Sequence, residues 1–314
     1  MMVINSKTLL CTVGISLILG GCSDMNSTNM NQESKPVTET QAASSEEPMV
    51  SVQDYKGEGY ALPYGNETDK MADEHLPQIE EAATTFFKET YKTDVIVHNV
   101  VGAKDGATVF VESKGEPHFY TYAVVPIDVK EKQVKTDEIW ADEFQVENAI
   151  KGGLYAMIFK DEFKNLDRYL QSLAKEGQVT GKTEEALQNV GGQGFMTPYY
   201  FISMTSKEEA IKPVYERYIR NPDERVENLR DAYDENQFNS NNFNITIQFF
   251  MGDKKAEPNK ELFNRVVKDL EEMASIPKGS YSVFLNDHFI DKQSGDGTKD
   301  NSLERSFPDY IIKQ

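Results

Sequence analysis

Residues 76–113 read LPQIEEAATTFFKETYKTDVIVHNVVGAKDGATVFVES, and the spacing of apolar positions changes partway along. Leu76, Ile79, Ala82, Ala83, Phe86, Phe87 and Tyr91 recur every three or four residues, which predicts a helix over 77–91 with Pro77 tolerated in its first turn. Beyond it the pattern becomes extended, with strands predicted over 95–101, 107–112 and 118–125. Asp105-Gly106 between the first two signals a tight hairpin. The helix stripe needs an apolar partner, and the meander that follows supplies one. The local unit is a helix packed on antiparallel strands.

Working outward, Val146, Ala149, Ile150, Gly153, Leu154, Met157 and Ile158 form a second helical stripe, and Phe163, Leu166, Leu170 and Leu173 a third, ending before Gly177. Gly152-Gly153 inside the second stripe predicts close packing or a break, because each glycine costs about 1 kcal/mol against alanine in a helix. Strands are expected over 199–204, 244–250 and 281–285, and helices over 214–220, 222–233 and 259–274. Ser206 and Glu209 have capping-box spacing, yet Pro213 would remove a helical hydrogen bond, so a kink or restart is expected near Lys212. The fold class is α+β: a helix on antiparallel strands, then a mixed helix and strand C-terminal half, with two subdomains able to meet near 177–197. No repeat of fixed period occurs, and the tail after Asp291 is expected on the surface.

The wider composition narrows the function classes. Of 314 residues 33 are Lys or Arg and 52 are Asp or Glu, leaving −19 and a pI near 4.7. Such a chain repels phosphate backbones, so nucleic acid is not an expected partner. Residues 1–21 read as a lipoprotein signal peptide: Lys7 supplies the positive charge, and an apolar run follows that is shorter than the roughly 20 residues a bilayer span needs. The run ends in Leu19-Gly20-Gly21-Cys22, resembling a lipobox in which the Cys22 thiol takes a diacylglycerol. Cys11 leaves with the signal, so the exported chain holds one thiol, and neither a disulfide nor a cysteine nucleophile is expected. Residues 22–50 read as the lipidated cysteine and a polar, disordered tether. As a flexible coil of about 28 residues it would reach roughly 30 Å. Residues 51–314 are the globular domain. Membrane lipid, through acylated Cys22, is the one expected partner that can be named; no cofactor is expected.

Candidate chemistry is sparse. Gly177 with Gly181-Lys182-Thr183 has one residue too few for a phosphate loop and reads as a glycine cap followed by a threonine that starts a helix. Gly191-Gly192-Gln193-Gly194 reads as a turn. None of His75, His98, His118 and His288 stands at helical ligand spacing, and His98 reads as a hydrogen-bonded core or edge imidazole beside Ile96 and Val100. Asp291, Asp296, Asp300 and Glu304 lack the glycine offset of a calcium loop. No Gly-x-Ser-x-Gly elbow is present, and Ser280 reads as a turn into a strand. Asp137-Glu138 and Asp142-Glu143 flank the sole tryptophan, Trp140, as a solvated face with an aromatic anchor. Tyr199-Tyr200-Phe201 and Phe249-Phe250 read as core. No catalytic, cofactor-binding or metal residue is expected; Cys22 is the one candidate site residue, for lipidation.

Four runs carry a resemblance: VQDYKGEGYALPYGNETDK (52–70), GAKDGATVFVES (102–113), PKGSYSVFLND (277–287) and KDNSLERSFPDY (299–310). They are similar to a staphylococcal and bacillar family of lipoproteins known as domain of unknown function 1672, over essentially all of 51–314. The resemblance implies a lipoprotein and carries over no activity. The expected role is a non-catalytic binding or interaction domain on the outer face of a Gram-positive-type membrane. The alternatives are a transporter's solute-binding lipoprotein, with two lobes around a cleft, and an extracytoplasmic enzyme.

Overall fold

Helix-then-meander is what the chain builds first. The computed structural model describes residues 48–192 and 194–314. The expected signal segment 1–21, Cys22 and the expected tether up to residue 47 therefore lie outside the described residues. The chain enters as β1 (Met49–Ser51), two residues ahead of the expected domain start. Helix α1 (Asn66–Glu74) leads into α2 (Leu76–Tyr91), which buries Ile79, Ala83, Phe87 and Tyr91. Strands β2 (Val95–Ala103), β3 (Gly106–Ser113), β4 (Tyr120–Asp128) and β5 (Gln133–Val134) follow as an antiparallel sheet in that order. The β2–β3 turn is Lys104-Asp105, with Asp105 at φ +58° and Ala103 opposite Gly106. Aspartate tolerates this left-handed conformation better than most residues.

Helix α3 (Glu143–Ile158), capped by Asp142 accepting from the Gln145 amide, runs unbroken through Gly152-Gly153. Close packing is the reason for the second glycine: a Cβ at Gly153 would stand 2.6 Å from the His118 carbonyl oxygen. Helix α4 (Lys160–Lys175) follows, then β6 (Val179–Thr180), α5 (Glu184–Val190) and β7 (Tyr200–Met204). The next helix, α6 (Lys212–Arg220), begins at the expected restart with Pro213 in its first turn, whereas α7 spans only Val226–Asp231. Strand β8 (Phe243–Met251) joins β9 (Gly279–Asn286) in parallel through α8 (Lys260–Glu272). Asn259 caps α8, and Leu262, Phe263, Val266, Val267 and Leu270 are its buried stripe.

The chain ends by closing its own sheet. Strand β10 (Phe289–Asp291) pairs with β1, while β11 (Leu303–Arg305) and β12 (Ile311–Lys313) both pair with β9. The second sheet thus runs β11-β9-β8-β6, with β7 also on β8 and β12 also on β9. The tail expected on the surface therefore contributes two strands, and Ile311 is buried. Helix α3 packs against β4 of the first sheet and β7 of the second, so one apolar core extends from Ala72 to Ile311. The described residues from 48 onward cluster as one compact unit. The fold is α+β. Among the described residues no helix is long and apolar enough to cross a membrane.

Candidate functional site

Alternation along the meander sorts its side chains. One face of β3 and β4 turns toward the helical core; the other carries Phe110 and Glu112 from β3 and Tyr120, Tyr122 and Val124 from β4, with Phe110 opposite Tyr122 and Glu112 opposite Tyr120. Helix α5 and residues near Tyr60 and Gly192 cover part of this outer face: the Tyr60 ring meets Phe110 edge-on at 5.9 Å, and Gly192 leaves no room for a side chain against Tyr122.

At one end of the face, Glu112 lies between two imidazoles. His98 Nε2 is 2.7 Å from Oε2 and His118 Nε2 is 2.8 Å from Oε1, while Gln188 donates to Oε2 at 3.3 Å. An ionised carboxylate only accepts, so both imidazoles present Nε2–H to it. Burial alone would raise the Glu112 pKa; hydrogen bonds from His118 and then His98 together outweigh it and hold the carboxyl below its ordinary range. The His118 ring packs edge-on against Tyr120 and Phe195, and burial, then the Glu112 charge, push the Tyr120 phenol upward. A metal would need nitrogen lone pairs at about 2.0–2.1 Å, whereas here the nitrogens spend protons on the carboxylate. Among the described residues no group of three or more His, Cys, Asp or Glu has metal-holding geometry. Glu112 has a donor on each oxygen, which makes it a clasp between β2, β3 and the loop before β4 rather than a poised base.

At the other end, Trp140 pairs its backbone with Val124, and its ring is 45% exposed. Phe144, four residues on, is 47% exposed. Asp142 and Tyr60 lie close enough to Tyr122 that, after burial, their charges help push its phenol up. Gln145 Nε2 donates to the Gly192 carbonyl at 2.9 Å, closing the floor. The arrangement is an aromatic and acidic surface on rigid supports.

The other sequence candidates have structural partners. Thr183 caps α5 by accepting from the Ala186 amide, and Gly177 takes φ +71° after α4. Lys182 donates to the Gly295 carbonyl at 3.0 Å; burial lowers its pKa, opposed by the Asp296 charge. His75 contacts the Met71 carbonyl, and Ser280 donates to the Ser240 carbonyl. His288 is buried between Ser51 Oγ and the Met251 carbonyl, which fastens β1 to the body. Asp291 accepts from the amides of Gln293 and Ser294, a local turn. Asp300 and Glu304 lie on the exposed surface of the same closing segment. Tyr200, Phe249 and Phe250 are core. Cys22 and Gln193 lie outside the described residues. Sequence reasoning missed the meeting of His98, Glu112 and His118. The signal was the hairpin register, which sets Glu112 opposite Ile96; a β-bulge between Val97 and Asn99 then breaks the alternation that grouped His98 with Val100.

A family model described as protein of unknown function (DUF1672) matches residues 42–313. The chain belongs to the DUF1672 family. A crystal structure of a DUF1672 family protein from Staphylococcus aureus subsp. aureus Mu50 is similar to it, with TM-score 0.68 and 20% identity over 86% of this chain and 100% of that one. At that identity the likeness shows the fold alone. No curated protein matches this DUF1672 chain. Two open grooves among the described residues, of about 480 and 610 Å³, adjoin opposite ends of α8, lined by Asn259 and Arg265 and by Arg168 and Ser275; they share no residue with the outer face.

Proposed function

We propose that this DUF1672 chain is a lipid-anchored, extracytoplasmic interaction domain without catalytic function, and that the exposed Trp140 end of the first sheet's outer face meets the partner. The observation that carries the reading is the lipobox Leu19-Gly20-Gly21-Cys22 followed by a polar stretch that ends where β1 docks on β10. That order suits an anchor, a leash and a folded body. The single compact unit that the described residues from 48 onward form favours this reading over a two-lobed solute receptor. The clasped state of Glu112 favours binding over acid–base chemistry. Two acyl chains at about 0.8 kcal/mol per buried CH₂ suffice for stable anchoring.

Replacing Cys22 by Ala and fractionating cells tests the anchor: the variant is expected to leave the membrane fraction, and membrane retention equal to the parent rules the anchor out. A photo-reactive residue at Phe144, compared with one at Glu272 on α8, tests the face in intact cells. A crosslinked product specific to position 144 is expected; identical patterns from both positions remove the case for this face.

A further inference from the structure

We infer that the Trp140 surface is a docking site for a basic polypeptide segment, whose lysine or arginine side chains lie on the exposed indole and pair with the carboxylates around it. The inference rests on the interaction-domain reading and names the partner's chemistry. Three observations support it. First, the sole tryptophan of the chain keeps 45% of its surface exposed, and its indole N–H has no hydrogen-bond partner among the described residues. Second, Phe144, in the first turn of α3 and 47% exposed, is a further exposed aromatic ring four residues along the chain, and bonding of Trp140 to β4 and capping of α3 by Asp142 fix the backbone that carries the two. Third, the charge is unbalanced: from residue 135 to 151 the chain carries five carboxylates and two lysines, Lys135 pairing with Glu138 at 3.5 Å and Lys151 with Glu147 at 3.0 Å, which leaves Asp137, Asp142 and Glu143 without a lysine or arginine partner among the described residues. A ring quadrupole attracts cations, and the −19 charge of the whole chain raises the local concentration of a cationic partner.

The openness of the surface decides between a small amine and a polypeptide. One cation on one exposed ring gains only about two- to fivefold in affinity. A segment bearing several cations engages the indole, Phe144 and neighbouring carboxylates at once, and aromatic anchors of this kind dominate protein interfaces.

The full chain, purified, would be titrated at low ionic strength with an alternating Lys/Ala peptide, and an alternating Glu/Ala peptide as control, while intrinsic Trp140 fluorescence is followed. The Lys/Ala peptide is expected to shift the emission and the Glu/Ala peptide to leave it unchanged. With labelled Lys/Ala peptide read by anisotropy, Trp140→Ala should bind at least about tenfold more weakly. Trp140→Tyr should stay within about threefold of the parent, because the ring face is retained. Glu272→Gln on α8 should change binding by less than about twofold, as expected for screened, distant charge. Equal affinity of Trp140→Ala and the parent would assign any binding to general attraction and overturn the inference. So would emission that responds to a neutral oligosaccharide and not to the basic peptide. No peptide binding alongside a position-144 crosslink overturns only the basic-partner inference; no response in either experiment removes the interaction face as well.

Discussion

Two glutamates show how one residue type takes opposite roles in a single fold. Glu112 holds three donors and has its pKa pulled down, so the unfolded chain binds its proton more readily than the folded one. Its stabilising contribution is therefore present above the ordinary carboxylate pKa and fades as pH falls through the lower folded value. Glu112→Gln is expected to destabilise the protein by about 1–3 kcal/mol at pH 7 by leaving charge-assisted bonds unmade. In denaturant melts the gap between variant and parent should narrow below about pH 4. Glu208 is the reverse case. It is 6% exposed; Oε1 accepts from the Ala210 amide at 2.9 Å, and Oε2 has no partner among the described residues. Burial raises its pKa, with the Ala210 and Ile211 amides opposing, so the folded chain holds its proton more tightly and the charged form becomes a liability as pH rises. Glu208→Gln keeps the acceptor for Ala210 and removes that charge. Melts should show the variant gaining on the parent as pH rises above the ordinary carboxylate pKa, on the order of 1 kcal/mol; a gap independent of pH would show that Glu208 carries no raised pKa.

Elements rest on the same local accounting, and the two adjacent glycines of α3 separate its terms. At Gly152 a Cβ would meet Phe195 at ordinary contact, 3.5 Å from the amide nitrogen and 3.6 Å from Cβ, whereas at Gly153 it would press on the His118 carbonyl oxygen at 2.6 Å. Gly152→Ala should therefore be neutral or stabilising by up to about 1 kcal/mol, the helix-propensity gain. Gly153→Ala should destabilise by about 1–3 kcal/mol, because backbone must shift. Thermal melts check both, and equal effects would show that propensity alone governs this stretch. The sequence made one part of this visible: glycine pairs inside an apolar stripe announce close packing, and the stripes of α2, α3, α4 and α8 all became helices with those faces buried. Terminal strands were not visible. Leu303–Arg305 and Ile311–Lys313 are three residues each, too short for alternation to show, and they form only because β9 offers an edge. The Glu112 clasp was hidden for a related reason, since a one-residue bulge decides where His98 points. The stretch around Trp140 was legible as a solvated acidic face with one aromatic residue, and the Trp140 ring is 45% exposed.

At the scale of the whole molecule, length and connectivity pull in opposite directions. Chains of this size often divide, because single cores stop growing near about 250–300 residues. Here α3 lies against both sheets, β1 is pinned by β10 and His288, and β12 returns the chain end to β9, so each half lacks part of its cover without the other. A shared core predicts shared unfolding. Trp140 reports on the edge of the first sheet, while far-ultraviolet circular dichroism averages over every element, so the two probes separate if the halves melt apart. Leu154, wholly buried in α3, sets a stronger test. Leu154→Ala should cost about 2–5 kcal/mol through the cavity it leaves. In a cooperative unit this lowers one common midpoint by on the order of 10 °C, with tryptophan emission and circular dichroism still coincident. If emission changes first while the helical signal persists, α3 is not the shared element, and the chain divides between its two sheets.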